Sequence, residues 1–239
     1  MPPAAAHAFV TDLAAPALAD DDRRHLSRVL RLRPGQRVTV SDGAGGWREC
    51  AWRPDGELEP SGPPEFEPPS PPPVTVAFAL TKGERPEWVV RKLTEIGVDR
   101  IIPFHAARSV VRWDDDKAGA RATRWRTIAH QAAMQSRRVR LPEVAEVGGF
   151  ADVASGAGGA GALAAPGGAA PSLERPTVLV GPEGGWTDEE LASGLATVGL
   201  GPTILRAETA AVVAAAVLCG LRSGTVGPVA GTKPQDHLP

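Results

Sequence analysis

The sequence predicts two folded units, a small β-rich domain followed by a larger α/β domain built on a parallel sheet. The chain has 239 residues, of which 42% are hydrophobic and 23% charged, enough for two modest cores. A proline-rich stretch at residues 60–73 favours extended backbone and is predicted to be a linker. After that stretch, strand-like apolar runs alternate with helical patterns, as a parallel sheet requires.

The strands are predicted from short apolar runs bounded by turn residues. In the small domain, residues 36–40 and 46–52 flank the turn sequence SDGAGG, which fits a small barrel. In the larger domain, strands are predicted at residues 74–80, 100–104, 177–180 and 203–205. Residues 148–171 are rich in Ala and Gly and are interpreted as a connector with one short strand near residues 162–165. We therefore expect domains at 1–70 and 74–228, with a flexible tail at 229–239.

Three helices are predicted from their ends and apolar faces. The first begins at Pro86 and ends at Gly97, which can adopt the left-handed cap conformation. Its expected apolar face contains Trp88, Val89, Leu93 and Ile96. The second spans about residues 118–135, with an apolar side formed by Trp125, Ile128 and Ala132. The third is expected to begin near Thr209 as its N-cap and to end at Gly224.

Composition excludes several classes of protein. The only two cysteines, Cys50 and Cys219, lack the spacing of a disulfide framework or a zinc site, so we expect no bound metal. The N-terminus lacks the pattern of a signal peptide, and the apolar run at residues 210–221 is too short to span a bilayer. We therefore expect a cytoplasmic protein that does not bind membranes.

The first candidate site is the glycine-rich sequence VGPEGGW at residues 180–186. It follows a predicted strand, and its glycines permit close approach of the backbone to a ligand. The sequence matches neither GxGxxG nor the P-loop pattern, which disfavours a nucleotide phosphate as the ligand. An alternative is a purely structural turn in which Thr187 caps the following helix.

The second candidate site is LGPTILRAETA at residues 200–210, which again begins with a Gly-Pro turn. Arg206 and Glu208 are expected at the end of a strand, where α/β proteins bind ligands. Alternatively, these two residues form an ordinary surface ion pair.

Positive charge is concentrated in two segments although the formal net charge is only -2. Residues 108–140 contain nine Lys or Arg residues against three aspartates. In the small domain, six arginines surround His25: Arg23, Arg24, Arg28, Arg31, Arg33 and Arg37. These segments are either solvated surfaces or RNA-binding surfaces, and RNA binding is favoured if both face one cleft.

Five stretches together resemble the RsmE-type 16S rRNA (uracil-N3)-methyltransferases of the SPOUT superfamily. They are HLSRVLRLRPGQ, TKGERPEWVVRKLTEIGVDRIIPF, RWRTIAHQAAMQSRRVRLPEV, VLVGPEGGWTDEEL and LGPTILRAETAAVVAA. The resemblance implies a PUA-like N-terminal barrel and a C-terminal α/β domain with a trefoil knot. It also implies a homodimer that uses S-adenosylmethionine and acts on 16S rRNA or the small ribosomal subunit.

The resemblance, the charge pattern and the expected chemistry together predict roles for individual residues. Those expected to bind the cofactor are Leu80, Val180, Gly181, Pro182, Glu183, Gly184, Leu200, Gly201, Leu205, Arg206 and Thr209. Those expected to bind RNA are Arg23, Arg24, His25, Arg28, Arg31, Lys82, Arg108, Gln135, Arg137 and Arg138. The candidate catalytic residues are Arg206, Glu208 as proton acceptor and Arg138 as a clamp on a phosphate or base.

The chain departs from the family pattern at several positions. Where the family commonly has Glu-Gln-Ser-Gly-Arg, residues 134–138 read MQSRR, and Thr203 and Ala207 replace an arginine and a threonine. Two rival interpretations remain open: a SPOUT methyltransferase with another RNA acceptor, and a non-catalytic RNA-binding protein of ribosome assembly.

Overall fold

The computed structural model describes residues 4–227, and within them the strands form two separate sheets. The expected tail at residues 229–239 lies outside the described residues. The N-terminal sheet has five strands: β1 (Ala6–Phe9), β2 (Arg37–Ser41), β3 (Gly46–Trp52), β4 (Leu58–Pro60) and β5 (Glu65–Phe66). The parallel pair is β1 with β2, whereas β3 runs antiparallel to β2, β4 and β5. Both strands predicted for the small domain are confirmed.

The proline-rich stretch contributes to the first sheet, so its interpretation as a plain linker was wrong. β4 ends at Pro60, and β5 lies within the stretch and pairs with the start of β3. Pro60 is the last residue of β4, and the other prolines of the stretch lie outside β4 and β5, so no interior ladder position requires an N–H from them. Between β1 and β2 lie helix α1 (Asp20–Arg24) and a π-helical turn, His25–Val29, whose Leu26 is buried in the barrel core.

The second sheet is parallel throughout and has seven strands within the described residues. They are β6 (Thr75–Ala79), β7 (Arg100–His105), β8 (Glu143–Val144), β9 (Gly148–Gly149), β10 (Gly161–Ala169), β11 (Thr177–Val180) and β12 (Ala196–Val198). The order across the sheet is β12-β10-β11-β6-β7-β8, and β9 also pairs with β7. The predicted strands near β6, β7 and β11 are confirmed.

Five helices accompany this sheet in the described part of the chain: α2 (Arg85–Ile96), α3 (Asp115–Ser136), α4 (Phe150–Ala157), α5 (Asp188–Leu191) and α6 (Ala207–Ser223). The caps predicted at Gly97 and Gly224 are confirmed, with φ of 111° and 72°. Trp88 was wrongly expected on the buried face of α2, since its side chain is 41% exposed. The helix α6 begins at Ala207 and its N-cap is Arg206, so Thr209 lies inside the helix and is not its N-cap.

Two predictions for the larger sheet were wrong. Residues 203–205 form no strand, because the edge position beside β10 is occupied by β12 instead. The Ala- and Gly-rich stretch is no mere connector, since it contains α4 and the nine-residue β10 between β11 and β12. Ala162 and Leu163 of β10 are almost fully buried, so the predicted short strand is confirmed but lies inside the sheet.

Candidate cofactor cavity and RNA cleft

A cavity of about 640 Å³ lies beyond the carboxyl end of β11. Its wall combines three segments that are distant in sequence: the middle of β10, the loop after β11 and the loop before α6. The volume falls within the usual range for small-molecule sites. Because the two loops are the two predicted candidate sites, the structure brings both into one cavity.

The middle of β10 opens the sheet toward this cavity. Register with β12 shifts between Ala164 and Ala169, and Ala164, Ala165 and Pro166 line the cavity wall. Pro166 has no N–H to donate to a ladder, which explains why regular pairing is interrupted there. The interruption leaves room for a ligand beside the backbone.

The loop after β11 is shaped by Trp186. Its indole ring lies so near Gly181 that a Cβ at position 181 would come within 2.9 Å of ring carbon Cε2. The ring is nearly parallel to Phe104, with centroids 6.3 Å apart. Only glycine therefore fits at position 181 without displacing the ring.

The C-terminal end of the same loop is fixed by hydrogen bonds of two side chains, Glu190 and Arg108. Thr187 caps α5 in a capping box with Glu190, as the structural interpretation of this loop predicted. The buried Glu190 also accepts a hydrogen bond from the Ala107 N–H at 2.9 Å. Arg108 donates from Nη1 to the carbonyls of Gly184, at 3.1 Å, and Trp186, at 2.9 Å. The loop is thus both a capped turn and a cavity wall.

The loop before α6 supplies the opposite wall. Leu200, Gly201 and Leu205 line the cavity, and Gly201 has a φ of 138°, which favours glycine. Ile204 also lines the cavity but is 83% exposed, so it forms part of the rim. Ala207 and Ala210 of α6 add small apolar side chains to this wall.

Most residues predicted to bind the cofactor meet at this cavity. Its wall contains Val180, Gly181, Pro182, Glu183, Leu200, Gly201, Leu205 and Arg206. Three predicted residues are not in the wall: Leu80 is buried in the core, Gly184 faces Arg108, and Thr209 is exposed on α6. Residues 164–166 also line the cavity but were not predicted, because nothing in the Ala- and Gly-rich sequence around them marks a ligand contact.

Glu208 lies beside the cavity, next to its lining residues Arg206 and Ala207. Its side chain is 16% exposed, and its Oε2 atom is buried without a hydrogen-bond partner among the described residues. It forms no ion pair with Arg206, contrary to the alternative interpretation; Oε1 instead lies 3.9 Å from Nε of Arg85. Arg85 also donates from Nη1 to Glu183 at 2.6 Å.

A second cleft, of about 870 Å³, separates the barrel from the end of α3. Arg24, His25 and Arg28 line it from the barrel side, and Gln135 and Arg137 from the α3 side. The two basic segments therefore face one cleft, the arrangement that favours RNA binding. Asp21 and Asp22 also line it, and burial raises the pKa of Asp22.

The other residues predicted to bind RNA lie elsewhere. Arg23 forms an ion pair with Glu57 at 2.5 Å, while Arg31 and Lys82 are exposed outside the cleft. Arg108 is exposed and donates through Nη1 to loop carbonyls at the cofactor cavity, a structural contact that was not expected, and its assignment to RNA stays a prediction.

Arg138, the predicted clamp, is bound to the end of α2. Its Nη1 donates to the carbonyls of Thr94 and Val98, both at 2.9 Å, at the end of α2. Burial lowers the pKa of Arg138. The guanidinium thus satisfies helix-end carbonyls, a structural role that was not expected, and the role as a clamp stays a prediction.

The imidazole of His7 joins the barrel to the larger domain. Nε2 lies 3.0 Å from the Arg138 carbonyl and Nδ1 lies 2.9 Å from the Thr39 hydroxyl. Since a carbonyl only accepts, Nε2 carries the proton and Nδ1 accepts from Thr39. Burial lowers the pKa of His7 to about 4.

Two departures from the family pattern have structural explanations. Met134, in place of glutamate, packs against the apolar core of the barrel. Arg137, in place of glycine, is the left-handed C-cap of α3 with φ 58° and ψ 38°. Its Nη2 donates to the Ala4 carbonyl at 2.5 Å, which offsets part of the cost of this conformation.

None of the helices within residues 4–227 is sufficiently long and apolar to cross a membrane. Within the same range, no group of three or more His, Cys, Asp or Glu side chains is placed to hold a metal ion.

Sequence comparisons identify two known domains. Residues 68–219 match the family described as RNA methyltransferase domain, and residues 18–51 match the RNA methyltransferase PUA domain. A protein named ribosomal RNA small subunit methyltransferase E from Mycobacterium tuberculosis is 36% identical over 243 residues, covering 85% of this chain and 86% of that protein. A protein of the same name from Bacillus subtilis is 39% identical over 158 residues, covering 57% and 61%.

Solved structures resemble the whole fold. One is the ribosomal RNA small subunit methyltransferase E of Neisseria gonorrhoeae bound to S-adenosylmethionine, with a TM-score of 0.75 and 26% identity, covering 89% of this chain and 96% of that chain. A methyltransferase of Legionella pneumophila in complex with the same cofactor gives a TM-score of 0.74 at 26% identity, with the same coverage. These likenesses confirm the predicted fold class, a SPOUT domain with a small PUA-like barrel.

Proposed function

Because this chain belongs to the RsmE family of RNA methyltransferases, we propose that it transfers a methyl group from S-adenosylmethionine to N3 of a uracil in 16S ribosomal RNA. The observation that carries the proposal is the convergence of the loops at residues 180–186 and 200–207 on one cavity. We divide the chain at residues 70–74, a division supported by β5 ending at Phe66 and β6 starting at Thr75.

The cavity suits the cofactor in size and chemistry. Val180, Leu200, Leu205 and Ala210 offer apolar surface, and the backbone around Gly181 and Gly201 is open to contact. Glu183 places a carboxylate in the wall, where its negative charge is shared between Arg85, bound at 2.6 Å, and the cationic sulfonium proposed to lie there. When bound, the cofactor supplies an electrophilic methyl group.

The chemistry requires removal of one proton. As the N3–methyl bond forms and the sulfur–methyl bond breaks, the N3 proton must pass to a base. Glu208 is the proposed acceptor, because its Oε2 atom is shielded from water and has no partner among the described residues. Arg206, in the cavity wall, is proposed to orient the uracil by donating to a carbonyl oxygen.

The cleft between the barrel and α3 is proposed to bind the RNA backbone. Arg24, Arg28 and Arg137 line it with cationic groups, and His25 and Gln135 add hydrogen-bonding groups. Such contacts position a nucleic acid without reading its sequence. The base to be methylated would be extruded from its surroundings toward the cofactor cavity.

We also propose that two copies of the chain form a homodimer. Ile204 is 83% exposed and Leu191 43% exposed, and both line the cofactor cavity. Pairing with a second copy of the chain would remove these two apolar side chains from water. A single species of one-chain mass in sedimentation at micromolar concentration would contradict the dimer.

Calorimetric titration with S-adenosylmethionine tests the enzymatic proposal directly. We expect saturable binding with one site per chain, and loss of binding when Gly181 is replaced by a bulkier residue. Absence of binding to the unmodified protein would favour the non-catalytic RNA-binding alternative. Transfer of labelled methyl to another position of the RNA would favour the alternative SPOUT acceptor.

A further inference from the structure

Arg85 connects two carboxylates that belong to separate segments of the cofactor site. Its Nη1 donates to Oε1 of Glu183 at 2.6 Å, and its Nε lies 3.9 Å from Oε1 of Glu208. Glu183 lies in the loop after β11, and Glu208 lies in the first turn of α6. The guanidinium of Arg85 therefore connects Glu208, the proposed proton acceptor, to the loop after β11, which we call the donor loop because it lines the cofactor cavity.

The burial of the three side chains is unequal. Those of Arg85 and Glu183 are 45% and 42% exposed, whereas that of Glu208 is only 16% exposed. A carboxylate removed from water needs a compensating charge or hydrogen bonds. Within residues 4–227, Arg85 is the only cationic group that forms an ion pair with Glu208.

The position of Arg85 is fixed by the fold. It is the first residue of α2, and Pro86 restricts the backbone immediately after it. Val89 and Leu93 of α2 share a core cluster with Ala211 and Leu218 of α6. Because α2 and α6 pack together, the backbone of Arg85 is fixed relative to the start of α6, and its two carboxylate contacts place the guanidinium.

We infer that Arg85 is a positioning residue for methyl transfer: it orients the Glu208 carboxylate and links that orientation to the donor loop through Glu183. The inference rests on the proposed function, in which Glu208 accepts the N3 proton. With Oε1 directed toward Arg85, Oε2 remains the oxygen available for that proton. A guanidinium suits this task because it offers several donors in a fixed planar arrangement.

Steady-state kinetics of three variants on purified small ribosomal subunits tests this inference. Arg85→Ala removes the bridge, Arg85→Lys keeps the charge, and Arg91→Ala removes an arginine from the exposed face of the same helix. We expect Arg85→Ala to lower kcat at saturating S-adenosylmethionine by about tenfold or more, with less than about a threefold change in KM for the cofactor. We expect Arg85→Lys to recover part of the loss, and Arg91→Ala to stay within about twofold of the unmodified enzyme.

The outcomes separate this inference from the proposed function. An active unmodified enzyme with an unchanged kcat in Arg85→Ala would overturn the positioning role alone, as would a loss confined to KM. Inactivity of the unmodified enzyme toward RNA would overturn the proposed function and the inference with it. Thermal melting of each variant, expected within a few degrees of the unmodified protein, excludes unfolding as the cause of lost activity.

Discussion

Trp186 donates its indole Nε1–H to the carbonyl of Ala164 at 2.9 Å and thereby ties the loop after β11 to the irregular part of β10. Both residues line the cofactor cavity. The hydrogen bond reaches β10 at the residue where its register with β12 shifts. The geometry of the cofactor cavity therefore depends on how the Trp186 ring packs.

Replacing Gly181 by alanine is expected to disturb that fit. The added Cβ would come within 2.9 Å of the Trp186 ring, and such overpacking typically costs about 1–3 kcal/mol. We expect the affinity for S-adenosylmethionine, measured by calorimetry, to fall by about tenfold or more.

Gly119→Ala provides a matched control for this substitution. A Cβ at Gly119 would meet nothing within 4 Å, and the residue lies inside helix α3. Alanine there is expected to leave cofactor affinity unchanged and to stabilise the helix by up to about 1 kcal/mol. Equal cofactor affinities in the two variants would refute the role given to the ring.

Replacing Arg137 by glycine separates RNA binding from stability. Glycine adopts the left-handed conformation without strain, which offsets the lost hydrogen bond to the Ala4 carbonyl. We expect the free energy of unfolding to change by less than about 1 kcal/mol. RNA affinity should fall, and the slope of log K against log salt should decrease by about one if Arg137 contacts a phosphate.

Binding of an rRNA fragment at several salt concentrations measures this slope. Arg91→Ala, which removes an arginine outside the cleft, serves as the control for overall charge. A slope identical in Arg137→Gly and the unmodified protein would contradict a phosphate contact at this position.

His7 is expected to make stability fall in mild acid. Its folded pKa of about 4 lies below the ordinary value of 6.5, mainly because the ring is buried. Between these two values the unfolded chain binds a proton that the folded chain does not, so stability decreases as pH falls. The expected slope approaches about 1.4 kcal/mol per pH unit, and above pH 6.5 the effect is absent.

Urea unfolding between pH 4.5 and 7.5 tests this prediction. His7→Gln removes the titrating ring and should flatten the pH dependence below pH 6.5, whatever its effect at neutral pH. His25→Gln, at an exposed position, serves as the control. Unaltered pH dependence in His7→Gln would show that other groups dominate acid stability.

The sequence predicted those elements whose ends are marked by local chemistry. Gly97 and Gly224 end their helices in the left-handed conformation, and Thr187 caps α5, because each requirement is satisfied within one turn of chain. The cavity residues Val180, Gly181 and Leu200 were likewise found from the two Gly-Pro motifs.

Tertiary constraints account for the errors. The Ala- and Gly-rich stretch has no sequence pattern that predicts a strand inside a sheet. Its small residues permit close strand packing, since a Cβ at Gly168 would come within 2.5 Å of the Val198 backbone. Ile204 has an apolar side chain typical of strands, but no partner strand is available to residues 203–205. The contacts of Arg138 were not predicted, because the helix-end carbonyls that it binds belong to residues 94 and 98, which are distant from it in sequence.

The most direct test of the central claim is mass-spectrometric mapping of 16S rRNA from a strain lacking the gene for this protein. We expect one uridine to lose its N3 methyl group, and expression of the unmodified protein to restore it. Expression of Glu208→Gln should restore it far less. An unchanged set of methylated uridines in the deletion strain would contradict the account.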